Sequence, residues 1–329
     1  MAADATPSAD VVLGCESSGS GSGAMAAGAT LSAGVEWRTV AVAVAVHSLW
    51  LAVLALHGVT PWPVTVVSLG LVAAWHGSLQ HETIHGHPFR SRRLNTLLGS
   101  LPMSLHLPYL VYRRYHWDHH DCPELTDPTE DSESFYVSAE KWESMGRLGR
   151  AFMLAHHTLL GRLVLGPPRY IAGVIVHQAR EIRRGDRELA RWWSAHVVAA
   201  TALVAFVVMV MGVPWWQYLL GATYLGNSLT LMRSYCEHRW VEGATRSAVV
   251  RSGRFFGLLY LYNNLHHVHH ADPGVAWYRL SAHADATGGY EEAAAGAGLY
   301  RGYFELARRF GVRPFDHPVH PRERAGILT

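Results

Sequence analysis

Four long stretches with almost no charge constrain this chain most. Thr39 to Val59 is nearly all apolar despite His47 and His57, and Val64 to about Leu79 forms a second run. His196 to Val213 and Trp215 to Met232 form a third and a fourth. About 20 apolar residues in a helix cross a hydrocarbon core about 30 Å thick, so each run reads as a membrane span. Pro61 and Pro63 separate the first pair and little more than Pro214 separates the second, so each pair must turn back on itself. Neither tip carries Lys or Arg, whereas Arg90, Arg92, Arg93, Arg113, Arg114, Arg183 and Arg184 all lie beyond the other ends. That asymmetry places those ends in the cytoplasm. The expected fold is therefore an all-α integral membrane protein, with four transmembrane helices in two hairpins under a cytoplasmic helical cap. The expected location is the inner membrane of a bacterium.

With 49% hydrophobic and 16% charged residues in 329, the chain is poorer in charge than an ordinary soluble protein. A formal charge of +2 without a basic face gives no case for nucleic acid. Cys15, Cys122 and Cys236 lie far apart, so no disulfide framework or four-thiolate cluster is available. No G-x-G-x-x-G opens a helix after a strand, so no dinucleotide site is evident. Residues 1–34 are rich in Gly, Ala and Ser and read as a disordered tail, without the pattern of a cleaved signal peptide. Residues 35–282 read as the membrane domain and 283–329 as a cytoplasmic C-terminal tail.

The 22 histidines are distributed unevenly. His81-Glu82-Thr83-Ile84-His85 follows the second run, and Leu94 to Tyr112, broken by Gly99, Pro102 and Pro108, feeds His116-Trp117-Asp118-His119-His120. Residues 121–191 are polar, with weakly amphipathic helical stretches. The fourth run delivers Glu237-His238-Arg239, and the short apolar stretch Phe255 to Tyr262 precedes His266-His267-Val268-His269-His270. At about 100° per residue, His116, His119 and His120 share one helix face, as do His266, His269 and His270, and His81 with His85. Together with His238 the topology brings nine histidines to one layer, a ligand set suited to zinc, copper, iron or nickel.

Three chemistries use such residues. His81 to His85 fits H-E-x-x-H, two zinc ligands with a glutamate base between them, but a tetrahedral zinc has no use for two further histidine clusters. Glu82 and His85 make one Glu-x-x-His of the kind found in carboxylate-bridged di-iron bundles, without a second copy. A metal transporter would place its sites at mid-membrane, whereas these lie at helix ends.

The ordered motifs H-x-x-x-H, H-x-x-H-H and H-x-x-H-H, set after apolar hairpins over roughly Val40 to Leu280, resemble the membrane-bound fatty acid desaturase superfamily. Its acyl desaturases, alkane hydroxylases and carotenoid ketolases and hydroxylases oxidise unactivated C–H bonds. The resemblance implies two non-haem irons that activate O2, held by His81, His85, His116, His119, His120, His266, His269 and His270, with His238 in the place of a further family histidine. It implies oxidation of a membrane lipid or lipid-like chain, with fatty acyl desaturation as the first reading. Carotenoid ketolation or hydroxylation, or hydroxylation of an alkane or fatty acid, is the alternative.

Ligating imidazoles need partners for their remaining ring N–H groups. Asp118, Asp121 and Asp127 are candidates, as are Asn263 and Asn264, while His267 points about 100° off its neighbours' stripe and takes a supporting place. With no electron-collecting cofactor of its own in view, the chain needs an external donor such as a ferredoxin or rubredoxin with its reductase. The arginines from Arg90 to Arg114 are the candidate docking surface.

Overall fold

The computed structural model describes residues 34–324. The expectation for residues 1–33 and the identity of Cys15's surroundings lie outside them. Among the described residues four helices are long and apolar enough to cross a membrane: Trp37–Leu56, Trp62–Ile84, Leu159–Arg184 and Arg187–Val210. The first, second and fourth of these match expected runs; Leu159–Arg184 was not expected, and the expected run from Trp215 to Met232 is not among the four.

The first two, α1 (Trp37–Leu56) and α2 (Trp62–Ile84), pack side by side, and Pro61 and Pro63 start the second, where a missing N–H costs nothing. α3 (Arg92–Gly99), capped by Ser91, and α4 (Tyr109–His120) follow, the latter carrying the second histidine cluster. Two short helices, α5 (Ala139–Ser144) and α6 (Arg147–His156), lead to α7 (Leu159–Arg184). The Thr158 side chain caps α7 by accepting from Gly161 N at 2.9 Å, and Gly185, at φ 107°, ends it.

α7 departs from expectation. The sequence suggests only weakly amphipathic stretches in a polar region, yet 26 residues form one helix through Pro167 and Pro168. Its residues toward the protein alternate small and polar with apolar, so no uniform run marks it. Its start is held beside His157, whose carbonyl accepts from Tyr235 Oη at 2.7 Å. Its end is held by Arg114 of α4, which pairs with Asp186 at 3.0 Å. Both ends are thus tied to segments that carry or adjoin the histidines.

α8 (Arg187–Ala205) begins nine residues before the expected third run, because Asp186 caps it by accepting from Leu189 N at 2.8 Å. Its hydrogen-bond ladder widens over Phe206–Val210 before Gly212 turns the chain. The fourth apolar run is helical from Trp215 to Arg233 as α9 (Trp215–Tyr218), a widened segment Leu219–Leu225, and α10 (Gly226–Arg233). This segment approaches α2 closely: a Cβ at Gly70 would meet Leu225, one at Gly221 would meet Leu69, and one at Gly226 would meet Ala73. Such contact leaves α2 no freedom to slide, and α2 carries the first histidine pair.

β1 (Val249–Val250), α11 (Arg254–Leu259), α12 (His266–Ala271), α13 (Leu280–Thr287), α14 (Gly289–Ala295), β2 (Leu299–Tyr300), α15 (Tyr303–Phe310) and α16 (Pro321–Arg324) complete the described chain. β1 and β2 pair in parallel. Residues 283–324 pack against the rest of the described chain. Tyr303, Leu306 and Phe315 are buried with Phe135, Tyr136 and Tyr235, and Val137 bridges to Val319. The sequence hid this because its apolar residues are few, widely spaced and aromatic.

Candidate metal centre

The end of α2 supplies His81 and His85, α4 supplies His116, His119 and His120, α12 supplies His266, His269 and His270, and His238 follows α10. The structure brings all nine together, but in two nests. His81, His85, His116, His120 and His269 form one, and His119, His238, His266 and His270 form the other, with the donor nitrogens of each within 4.8 Å of one another. The spacing explains the division. In each H-x-x-H-H triad the i, i+4 pair serves one nest while the i+3 ring, rotated by about 60° from the first, serves the other. α4 gives its pair to the five-histidine nest and α12 gives its pair to the four-histidine nest.

Inside the nests the Nε2 atoms nearly touch. His85 and His120 each lie close to His116, at 3.0 and 3.1 Å, and His269 lies 3.1 Å from His120. His119 and His266 each lie 2.9 Å from His238, and His270 lies 3.2 Å from His119. An imidazole Nε2 carries either one proton or one lone pair, so a nitrogen with two such neighbours cannot satisfy both by ordinary hydrogen bonds. A cation bound about 2.1 Å from each nitrogen, with neighbouring ligands at right angles, spaces them by about 3.0 Å. The donor set therefore fits one metal ion per nest.

The outward nitrogens support that orientation. His119 Nδ1 donates to Asp131 Oδ1 at 2.6 Å, His116 Nδ1 to Glu133 Oε1 at 3.0 Å, and His266 Nδ1 to Asn263 Oδ1 at 3.2 Å. Each bond puts the proton on Nδ1 and leaves the Nε2 lone pair facing inward. Asn263 also joins the nests, since its Nδ2 lies 3.3 Å from His81 Nε2. It is held in place by Leu261 and Tyr262, two consecutive residues in the left-handed region at φ 45° and 54°.

Burial keeps most of these imidazoles neutral, as ligands must be. It lowers His120 to about 2 and His238 to about 3, and holds His85, His266, His269 and His270 well below the ordinary value. His119 differs: against burial, Glu133 and Asp131 lift it to about 9 in the metal-free chain. Against burial, His119 in turn holds the Asp131 and Glu133 carboxyls below their usual range. Glu237 is raised to about 7 by burial, with Arg233 opposing, and its Oε1 lies 3.5 Å from His266 Nδ1. Two divalent ions among neutral rings would bring four buried positive charges, which these carboxylates partly offset.

Of the supporting residues expected, Asn263 is in place beside His266 and His81, but the three aspartates are not. Asp118 is exposed, Asp121 caps the end of α4, and Asp127 is occupied by its own loop, accepting from Thr129 N at 2.8 Å and Thr129 Oγ1 at 2.6 Å. Asp118 and Asp121 fail because the outer face of α4 turns them away from the rings. Asp131 and Glu133 do that work instead, and their signal was present: the loop after the second cluster returns acidic side chains beside it. Asn264 donates to Val250 O at 2.7 Å and anchors the loop to β1. His267 contacts Ser247 and Glu292, outside both nests. Glu82, the base that a zinc protease would need, accepts from Trp277 N at 3.3 Å through one oxygen, while the other lies 3.8 Å from His81 Nδ1, the ring nitrogen that does not face the nest.

A cavity of about 240 Å³ reaches the nests, bounded by α2, α4, α7 and α10 and touching His81, His238 and Glu133.

A family model described as fatty acid desaturase matches residues 60–301. Zeaxanthin 4-ketolase of Chlamydomonas reinhardtii is 37% identical over 103 residues, covering 25% of this chain and 23% of the ketolase. A protein named fatty acid desaturase from Bacillus subtilis (strain 168) is 24% identical over 218 residues, covering 61% of this chain and 60% of that protein. In both cases the chain spans less than two thirds of the relative's length.

Proposed function

The chain belongs to the fatty acid desaturase family, and we propose on that premise that it is a membrane oxidoreductase that oxidises unactivated C–H bonds of a lipid chain with O2. The observation that carries this reading is the pair of histidine nests with inward-facing Nε2 atoms. Two irons held there, one by His81, His85, His116, His120 and His269 and one by His119, His238, His266 and His270, would supply the oxygen-activating chemistry that no side chain offers. The protein's own part is to keep the rings neutral and aimed, through Asp131, Glu133 and Asn263, and to admit the chain along the cavity while excluding bulk water.

Fatty acyl desaturation is the first reading. The named ketolase relative keeps carotenoid ketolation as the second. Desaturation balances when O2 takes up two electrons with the two hydrogens of the substrate, two more electrons from an external carrier and two protons from the medium, giving two waters. The carrier proposed is a ferredoxin or rubredoxin docking near Arg92 and Arg93, which are exposed.

The membrane arrangement proposed has α1 paired with α2, and α8 paired with the helical segment 215–233, below a cytoplasmic cap. Trp62, Trp215 and Trp216 are exposed at the turns joining these pairs, where an interfacial aromatic belt belongs. α7, although long and apolar enough to cross, is placed along the cap in this arrangement because both its ends are tied to segments there, and the segment 215–233 takes the fourth crossing. Lipid analysis of cells expressing the chain tests the function: new double bonds in acyl chains support the first reading, and ketocarotenoids in carotenoid-producing cells support the second. Unchanged lipids and carotenoids alongside His119→Ala cells would count against both.

A further inference from the structure

One face of α7 forms a wall of the cavity, through Arg162, Gly166, Arg169, Tyr170, Gly173 and Gln178. These positions recur at helical spacing, and from Arg162 to Gln178 the wall runs about 24 Å at 1.5 Å per residue. The cavity is thus elongated along α7, with the histidine nests reached from its other side.

The charges at one end of this wall are unexplained by the protein. Arg162 is only 6% exposed and its Nε has no hydrogen-bond partner. Its guanidinium lies 5.5 Å from the ring centre of Phe135 and 5.9 Å from that of Tyr235, contacts that attract a cation without neutralising it. Arg169, seven residues on and so on the same face, gives one N–H to the thioether of Met153 at 3.4 Å, a weak acceptor. Among the described residues neither arginine pairs with a carboxylate. The acids at the cavity are engaged elsewhere, Glu133 with His116 and Glu237 with Arg233 at 2.7 Å. His156, buried at the same cavity, leaves Nδ1 without a partner. Two neighbouring guanidiniums, Arg162 buried and Arg169 half-buried, with no internal counterion are costly unless an anion joins them.

We propose that Arg162 and Arg169, with His156 beside them, form a subsite for the oxyanion head group of the substrate chain. This rests on the reading of the cavity as the substrate channel and narrows the substrate to an anionic amphiphile, a free fatty acid or a single-chain phosphate. A bidentate guanidinium contact suits either head group. A neutral carotenoid would leave both arginines unpaired, so the subsite also separates the two functional readings. With the head fixed at one end, the position of oxidation is set by distance from the head group.

Binding without turnover tests this, using purified protein in a neutral detergent and titration calorimetry with hexadecanoate, hexadecyl phosphate, hexadecanol and inorganic phosphate. Wild-type protein should bind at least one of the two anionic chains about 10-fold or more tighter than the alcohol, the range of a charge-assisted hydrogen bond. Whichever anion binds tighter identifies the head group. Arg162→Gln/Arg169→Gln should abolish the preference while Arg162→Lys/Arg169→Lys retains part of it. Equal binding of hexadecanol by wild-type protein overturns the subsite whether or not the variants fold. Inorganic phosphate binding as tightly as the anionic chains overturns it also, in favour of a free-anion site. If anionic chains bind through the arginines yet are never oxidised, the functional reading fails and the subsite stands. If neutral chains are oxidised without any preference, the reverse holds.

Discussion

Replacing Asp131 with asparagine tests the centre through a residue that would touch no metal. Asp131 is 1% exposed and three donors converge on its two oxygens: His119 Nδ1 at 2.6 Å, Thr126 N at 2.7 Å and Glu133 N at 2.9 Å. Asparagine keeps the shape but offers one oxygen and one NH2. If the oxygen faces His119, the NH2 is set against Thr126 N–H and a buried donor goes unsatisfied, costing about 1–3 kcal/mol of stability. If it faces Thr126, the amide donates toward His119 Nδ1, favours the other tautomer and takes the lone pair away from the nest. Loss of such an outer partner lowers metal affinity by about 10–100-fold, or about 1.4–2.7 kcal/mol. The assay is metal content after dialysis against graded chelator, with thermal melting of the same samples. Asp131→Asn should lose metal at lower chelator than wild type, and Asp127→Asn, whose carboxylate serves only its own loop, should not. Equal retention by Asp131→Asn and wild type, or equal loss by both variants, would refute the reasoning.

Other outcomes follow from the same geometry. His119→Ala should abolish turnover and empty the four-histidine nest, whereas His47→Ala, whose ring donates to the Ala43 carbonyl and meets His76 edge-on outside both nests, should do neither; metal content and activity measured together decide it. In chelated protein the depressed imidazoles, from His120 at about 2 to His238 at about 3, fold neutral while the unfolded chain takes up protons. Their contribution is complete above pH about 6.5 and falls below it, by up to about 1.4 kcal/mol per pH unit for each ring. His119, raised to about 9, acts oppositely, contributing fully below about 6.5 and losing its share as pH rises through 9. Melting of chelated protein should therefore fall steeply from pH 6.5 to 5 while metal-loaded protein holds, and a flat profile for the chelated form would count against the buried neutral rings. Arg92→Glu/Arg93→Glu should slow turnover with an acidic protein donor more at low salt than at high; equal slowing at both would point to a structural effect.

Much of this centre could be read from the chain, and for a specific reason. Helical period places His116, His119 and His120 on one face, and apolar runs ending before each cluster deliver the faces to one level. The division into nests of five and four is latent in the same spacing, but it becomes visible only once α4 and α12 face each other across the centre. Partners drawn from loops were harder to read. Asp127 and Asp131 look alike in sequence, and only the left-handed backbone at Thr126, φ 79°, turns the loop so that Asp131 reaches His119. α7 was missed because Arg162, Gly166, Arg169, Gly173 and Gln178 on its cavity face interrupt the run, although Leu159–Arg184 as a whole is apolar enough to cross a membrane. The packing of 283–324 rests on contacts far apart in sequence, such as Tyr136 Oη with Asp316 Oδ2 at 2.9 Å, which no local pattern announces.

The most direct measurement of the central claim is elemental analysis of purified protein by mass spectrometry, scored per chain. The nine-histidine arrangement predicts close to two irons and little zinc. One zinc and no iron per chain would contradict it and return the His81–His85 motif to a protease reading.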